Sequence, residues 1–399
     1  MNLLRKECGQ TTIIMGLSLF CLCGMAGFAV DVGVLFRDKR ILQTAADAGA
    51  IAGAEEYKYG DWSDAAKKAA TQNGVTDGIN GYTVTVTQVA AGSPHAGDIQ
   101  VIASQSAPTY FMKLFHVSSM TVSARAVGGL GPASACIYAL DTSGTDIGMS
   151  SSSNLSMPNC GIVVNSASNN AISLSGTATI TADSVGVVGN VSTPIGAITP
   201  TAVTGVAPAF DPLSWLTPPS FNPSSCLADP HLSGSGITTI GPAVAGGTVC
   251  YNGLSVSGSH IVNLTPGLYI INGAFSDSGS GAISGTGVTF YFAPPNGSLS
   301  LSGTSTLTIS APTSGTWNGI LFYEDANDTH AMTVSGSGAS VIQGIFYAPS
   351  ADLTLSGSSS AQFAADIVVS ALSMSGPSSF SNYSSINPNE PLTAAYLME

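Results

Sequence analysis

The chain has 399 residues, of which 8% are charged, with 46 Gly, 21 Pro and a formal net charge of −13. All 10 Lys and Arg lie in residues 1–125, balanced there by 10 of the 23 acids, while residues 126–399 hold 13 acids and no Lys or Arg. A nucleic-acid binder neutralises phosphates with cations, so that class is excluded for everything after Arg125, and anionic lipid would repel the same region.

The first element in chain order is an apolar helix. Ile13 to Val30 are 18 residues without a charge, preceded by Arg5 and Lys6 and closed by Asp31. With Thr11 and Thr12 the stretch spans about 30 Å of helix, the thickness of a bilayer's hydrocarbon. Gly27-Phe28-Ala29 has the form of a signal-peptidase site. The apolar run exceeds the 7–15 residues of a secretory signal, and the helical pattern continues past Ala29, so a retained single span is expected. Basic residues flank both ends (Arg37, Lys39 and Arg40 follow), which leaves the positive-inside rule undecided.

The cysteines supply the orientation. Cys8 precedes the span, and Cys21 and Cys23 lie within it. Cys136, Cys160, Cys226 and Cys250 form two pairs with the same 24-position spacing. Matched pairs suggest disulfides and an oxidising compartment. Three connectivities exist, and the local one, Cys136–Cys160 with Cys226–Cys250, is favoured. The expected topology places the N-terminus in the cytoplasm and the bulk of the chain outside.

A stalk helix follows, DVGVLFRDKRILQTAADAGAIAGAEEY, uninterrupted by Pro and rich in helix formers. Ala45, Ala48 and Ala52 share a face with Gly49 and Gly53 beside them. Such small residues admit either a partner helix or this protein's own small domain. Val30-Asp31-Val32-Gly33 followed by Arg40-Ile41-Leu42-Gln43-Thr44-Ala45-Ala46-Asp47-Ala48-Gly49-Ala50-Ile51-Ala52-Gly53-Ala54 resembles the N-terminal segment of TadE/TadG-like Flp pilus-assembly proteins. In that family an apolar span runs into a D-x-G … L-Q-x-A-A-D-A-A-A-L-A-G-A helix, and Gly49 departs from the usual Ala. Gly9 is followed by Gln10-Thr11-Thr12-Ile13-Ile14 without the Glu of pilin-like members, which points to the unprocessed TadG side. The resemblance implies a bacterial inner-membrane component with a periplasmic or extracellular bulk. It also implies other Tad/Flp assembly subunits as partners, met through the span and stalk. Asp31, Gly33, Arg40, Leu42, Gln43, Ala45, Ala46 and Asp47 carry the motif.

Residues 1–57 thus form tip, span and stalk, and 58–130 a small α+β module. In the module a helix is expected at 63–74, and period-two alternation predicts strands at 82–89, 98–107 and 118–127. TYFMKLF (109–115) reads as a helical turn, and the FMKLF and VSARAV stretches are similar to TadG-like sequences. Lys113 and Arg125 stand isolated and are expected on solvated faces.

Residues 131–390 are repetitive. Ser-Gly recurs at Gly176, Gly258, Gly285, Gly303, Gly336, Gly357 and Gly376 after short alternating runs. The spacings suit coils of a solenoid with variable loops. Leu299, Leu301, Leu307 and Ile309 alternate with Ser and Thr and are expected to point inward. The fold class is therefore mainly β with an N-terminal α-helix: a right-handed parallel β-helix, with a β-sandwich as the alternative. The stretch 192–223 holds seven prolines and cannot be central strand, so it is read as an excursion between two parts of the solenoid, and 391–399 as a tail. CGIVVNS (160–166), DPLSWL (211–216) and GIFYAPSADLTLSG (344–357) also resemble long TadG-like ectodomains.

The one dense acidic site is FYEDANDTH, with Glu324, Asp325, Asp328 and His330. Asp325 and Asp328 suggest an acid–base pair; Glu324, Asp325 and Asp328 together are a candidate Ca²⁺ site; the plain expectation is a solvated loop. β-Helix lyases use Arg or Lys, and none follows Arg125. No nucleotide loop, serine nucleophile or C-x-x-C is present, and the five histidines are never paired at ligand spacing. The sequence reading is a non-enzymatic, cofactor-free pilus-assembly or tight-adherence component with the solenoid as spacer or adhesive surface. The alternative is a surface adhesin or carbohydrate-binding or carbohydrate-active protein, for which Tyr347 and Tyr383 are candidate exposed aromatics.

Overall fold

A computed structural model describes residues 8–90, 98–132, 135–335, 340–357, 362–364, 366–381 and 393–398. Arg5, Lys6, Gly336 and Tyr383 lie outside the described residues. The chain folds as two compact units, residues 1–131 with 394–399, and residues 132–393.

The first unit is organised by one continuous helix, α1 (Cys8–Glu55), about 72 Å long at 1.5 Å per residue. Its C-terminal half lies on α2 (Trp62–Gln72) and on the sheet of β1 (Tyr82–Gln88), β2 (Ile99–Pro108) and β3 (Ser119–Pro132). The β1–β2 and β2–β3 pairs are antiparallel, with Tyr82 opposite Gln105 and Ile99 opposite Gly128. Leu42, Ala45, Ala46 and Ala50 of α1 pack on Ala66 and Ala70 of α2 and on Ile99, Val101 and Ala103 of β2. The core is alanine-rich because short side chains let the helix approach the sheet closely. Within the stretch read from sequence as a tail, Thr393–Leu397 forms a fourth strand paired with β3, and the Met398 N–H donates to the Val127 carbonyl at 2.8 Å.

The second unit is a parallel β-solenoid, and its strand order differs from its chain order. In its ten-stranded sheet the spatial sequence is 203–204, 185–187, 161–164, 135–139, 367–369, 345–348, 320–324, 288–292, 267–271 and 247–251. The chain therefore enters in mid-stack and coils to one end. It then crosses to the other end and coils back until 367–369 pairs in parallel with 135–139. The parallel pairing rules out the β-sandwich.

Inward rungs of this sheet align as Tyr269, Phe290, Phe322, Phe346, Ile367, Ile137 and Ile162. A nine-stranded sheet forms the second wall, with Leu299, Leu301, Leu353, Leu355 and Leu372 buried. Leu307 and Ile309, on the third wall, are also buried as expected.

The middle of the ten-stranded sheet is buried on both faces, which is why its strands read as continuous apolar runs such as Leu268–Ile271 and Ile320–Tyr323 rather than alternating ones. Its outward rungs align as Ile270, Tyr291, Tyr323, Tyr347, Val368 and Tyr138. Leu213, Leu216, Trp215 and Phe221 of the Pro-rich crossing pack onto them. The crossing is thus a strap. Its course is marked by Asn165, which exchanges two hydrogen bonds with the Ala209 backbone. Next come the Tyr347 hydroxyl donating to Asp211 at 2.8 Å and the Tyr323 hydroxyl donating to the Leu216 carbonyl at 3.3 Å. Phe221 then meets Tyr291 edge-on with ring centroids 6.5 Å apart. The strap starts later than the proline content suggested, since 191–192, 198–199 and 203–204 still form short strands at the stack end. Short strands flanked by Pro194 and Pro200 blunt that edge against unwanted pairing.

Both local disulfides are formed, Cys136–Cys160 and Cys226–Cys250. The first ties adjacent coils. The second fastens the far end of the strap, where Leu227 bridges Tyr251, to its rung. Closing loops of this length stabilises by about 3 kcal/mol in the chain-entropy treatment. Replacing Cys226 and Cys250 together by Ser is expected to lower the solenoid's stability by about that amount and to open residues 217–232 to limited proteolysis. Unchanged urea midpoint and cleavage pattern would show that the bond is not what holds the strap.

Candidate functional site

The motif residues of α1 divide by what they touch. Leu42, Ala45 and Ala46 are buried in the first unit's own core. A Cβ at Gly49 would lie 3.0 Å from the Ala66 carbonyl oxygen, and one at Gly53 would lie 2.9 Å from Ile99 and 3.2 Å from the Trp62 carbonyl oxygen. The two glycines therefore serve contact with α2 and β2, which decides the small-residue face for self-packing at these positions; Ala48 and Ala52 stay half-exposed. Gln43 donates to Asp47 at 2.7 Å and to the Arg125 carbonyl at 3.2 Å, pinning α1 to β3. Arg125 is exposed and donates to Gln100 at 2.8 Å. The Arg40 side chain is exposed, and nothing lies within 4 Å of where a Gly33 Cβ would stand.

Asp31 has a role that the sequence motif did not reveal. It is 1% exposed, and its carboxylate accepts the backbone N–H groups of Tyr110, Phe111 and Met112 at 2.8, 2.9 and 2.6 Å. The acid closing the apolar stretch thereby fixes the loop between β2 and β3. One turn earlier, the Phe111 ring covers Gly27, where a Cβ would come within 2.4 Å. The signal available in sequence was the apolar FMKLF stretch between two strands, which period-two reasoning treats only as a turn.

The acidic turn is not a solvated loop: Glu324, Asp325 and Asp328 are 0%, 4% and 2% exposed. Strand alternation turns neighbouring side chains to opposite faces. Phe322 and Glu324 face inward, Glu324 in register with Phe292. Asp325 accepts the hydroxyl of the outward Tyr291 at 2.7 Å and the Asn327 backbone N–H at 2.9 Å. Asp328 accepts the His330 N–H at 3.2 Å and pairs with its ring. Both oxygens of Glu324 and the Oδ2 of Asp328 have no hydrogen-bond partner.

No group of three or more His, Cys, Asp or Glu is arranged to hold a metal among the described residues, so the three acids suggested for Ca²⁺ do not form that site. Asp325 and Asp328, suggested as an acid–base pair, are both buried, and each accepts local hydrogen bonds. Burial first, and the charge of Asp328 second, push the Glu324 carboxyl up to about 8. Burial likewise raises Asp146 to about 7, only partly offset by the Ser166 N–H.

Tyr347, expected as an exposed aromatic, is 3% exposed beneath the strap. Burial there holds the Tyr291 and Tyr323 hydroxyls well above the ordinary phenol range.

An outward array that linear patterns did not assemble lies on the nine-stranded sheet, with Ser192, Ser300 and Ser373 exposed and the other positions half-buried. Outward positions align in register as Ser255, Ser276, Ser300, Thr333, Thr354, Ser373, Gly148, Ser173 and Ser192. The parallel stack places successive rungs about 4.8 Å apart, a ladder of hydroxyls interrupted at Gly148 and tied at one end by Ser255 donating to Asp229 at 2.5 Å.

Residues 9–56 match the family model described as putative Flp pilus-assembly TadE/G-like. The match coincides with α1 and so with the apolar span and stalk. No curated protein and no solved structure gives a significant match to the chain. The TadE/G-like segment supports a Flp/Tad pilus-associated membrane component, and α1 is one helix long and apolar enough for single-pass anchoring.

Proposed function

We propose that this protein is a non-enzymatic, membrane-anchored component of Flp/Tad-type pilus assembly or tight adherence, its solenoid exported as a spacer with an adhesive face. The observation that carries this is the continuity of α1. One unbroken helix runs from the TadE/G-like apolar stretch into a packed module, in a chain whose remaining mass is a disulfide-tied β-solenoid. The disulfides favour an oxidising compartment for that mass, hence a periplasmic or extracellular ectodomain on an inner-membrane span. The hydroxyl ladder favours adhesion over a bare spacer, because regularly spaced uncharged donors and acceptors suit neutral glycans. Other Tad/Flp subunits remain the proposed partners of the span and of the exposed stalk side.

Deleting the gene is expected to reduce surface pili and adherence together, with full-length protein restoring both. A chain in which a short linker replaces residues 135–381 is expected to restore piliation but not adherence. Normal piliation and adherence in the deletion strain would overturn the assignment. Restoration of both by the shortened chain would remove the adhesive role.

A further inference from the structure

We propose that the loop Tyr110–Phe115 is a second membrane-contacting element, inserting its apolar side chains at the boundary between lipid headgroups and acyl chains beside the end of the span. The inference rests on the anchoring reading of α1 and adds to it.

The loop is the tip of the β2–β3 hairpin, where Pro108 pairs with Ser119. It is well fastened. Thr109 bonds across it to Val117 and Ser118, the Leu114 N–H donates to the Phe111 carbonyl at 3.1 Å, and Asp31 holds three of its N–H groups. These ties leave its apolar side chains on the outside: Leu114 is 77% and Phe115 81% exposed, with Tyr110 and Phe111 also exposed. A fixed loop presenting such a patch marks a binding surface.

Its position along α1 identifies the occupant. Phe111 covers Gly27 and Asp31 binds the loop backbone. These helix residues are one turn apart, so the loop sits within about 6 Å of the end of the charge-free stretch. The exposed span residues Met25, Phe28 and Val30 are on that same stretch. Any bilayer that accommodates the span therefore reaches the loop, and the two apolar surfaces are continuous. Tyr110 at this depth matches the aromatic belt of membrane proteins, and Phe and Leu are the side chains that interfacial elements bury at the headgroup boundary. The exposed Lys113 is a cation suited to lipid phosphates, whereas Arg37 is already paired with Asp38 at 2.9 Å. Asp31, buried under the loop, keeps its charge away from lipid.

The test uses full-length protein with Cys8, Cys21 and Cys23 replaced by Ser and Phe115→Cys carrying an NBD fluorophore. It is reconstituted in phosphatidylethanolamine–phosphatidylglycerol vesicles. Lipids bearing a doxyl quencher near the headgroup are expected to quench the probe on the order of twofold more than lipids quenched near the chain end, as for a side chain at the interface. Aqueous iodide is expected to have little effect. Phe20→Cys in the same background marks the span and is expected to respond mainly to the chain-end quencher. Leu114→Cys repeats the loop measurement should the residue 115 variant not fold. A loop probe open to iodide and untouched by either doxyl lipid, with the residue 20 probe quenched, would overturn the loop proposal and leave the anchor standing. Absence of quenching at residue 20 as well would overturn the anchoring reading and the proposal with it.

Discussion

Phe322→Ala is expected to destabilise the solenoid by about 3–5 kcal/mol, the usual cost of removing a buried aromatic ring from a core. Phe322 is fully buried and stands in the middle of the inward aromatic ladder. Its ring lies 5.7 Å from Phe290, 6.3 Å from Phe292 and 4.8 Å from Phe346. Phe290 continues the contact to Tyr269 and Phe275, each at 5.1 Å. Truncation leaves a cavity that neighbouring coils cannot close, because each rung is fixed by hydrogen bonds to the next. Phe322→Leu, which fills part of the space, should cost less. Phe210→Ala, at a ring 82% exposed, should stay within about 0.5 kcal/mol. Urea denaturation of the three variants checks the order, and equal midpoints for the Phe322 and Phe210 alanine variants would refute a load shared along the ladder.

Solenoid stability is expected to fall as pH rises, and Glu324→Gln is expected to remove much of that fall. An unfolded Glu ionises near 4.5, whereas the folded carboxyl holds its proton until about 8. Below the lower value both states are protonated and the group contributes no pH dependence. Between the two values the folded state binds more protons than the unfolded one, so stability declines with pH. Above about 8 the folded group is ionised too, and the loss levels off. Each unit of difference corresponds to about 1.4 kcal/mol. Allowing for relaxation around the ionised group, the loss is roughly 2–4 kcal/mol across the window. The Gln side chain imitates the neutral acid, so variant and wild type should agree near the acid end and the variant should be the more stable near the alkaline end. Asp146, raised to about 7 by burial, acts in the same direction and leaves a residual slope in the variant. Urea midpoints measured across this range decide it: identical pH slopes for the two chains would show that Glu324 is not buried as a neutral acid.

Much of this architecture was legible in the residues alone. An unbroken charge-free run with helix formers behind it dictates α1, since no Pro or turn cluster interrupts its hydrogen-bond ladder. Alternating Leu/Ile with Ser/Thr, closed by Ser-Gly, dictates short strands with one buried face. Equal spacing in Cys136/Cys160 and Cys226/Cys250 reflects coils of similar length, so the local disulfides follow from the repeat itself. The family resemblance of residues 9–56 was likewise readable, because it resides in a contiguous motif.

What the sequence left open are properties of neighbours distant along the chain. The order of coils is set by the pairing of 367–369 with 135–139, a contact that no local pattern encodes. The strap's role depends on an apolar outer face that exists only once Tyr291, Tyr323 and Tyr347 are stacked in register. The small-residue face of the stalk was ambiguous because Gly and Ala admit any close partner, and the approach of α2 and β2 decided it. Glu324, Asp325 and Asp328 read as a solvated cluster in sequence, but burial takes all three out of water and turns Glu324 and Asp325 to opposite faces of the sheet. Asp31, finally, is a lone acid to any linear reading; only the folded hairpin brings three backbone donors to it across nearly eighty residues.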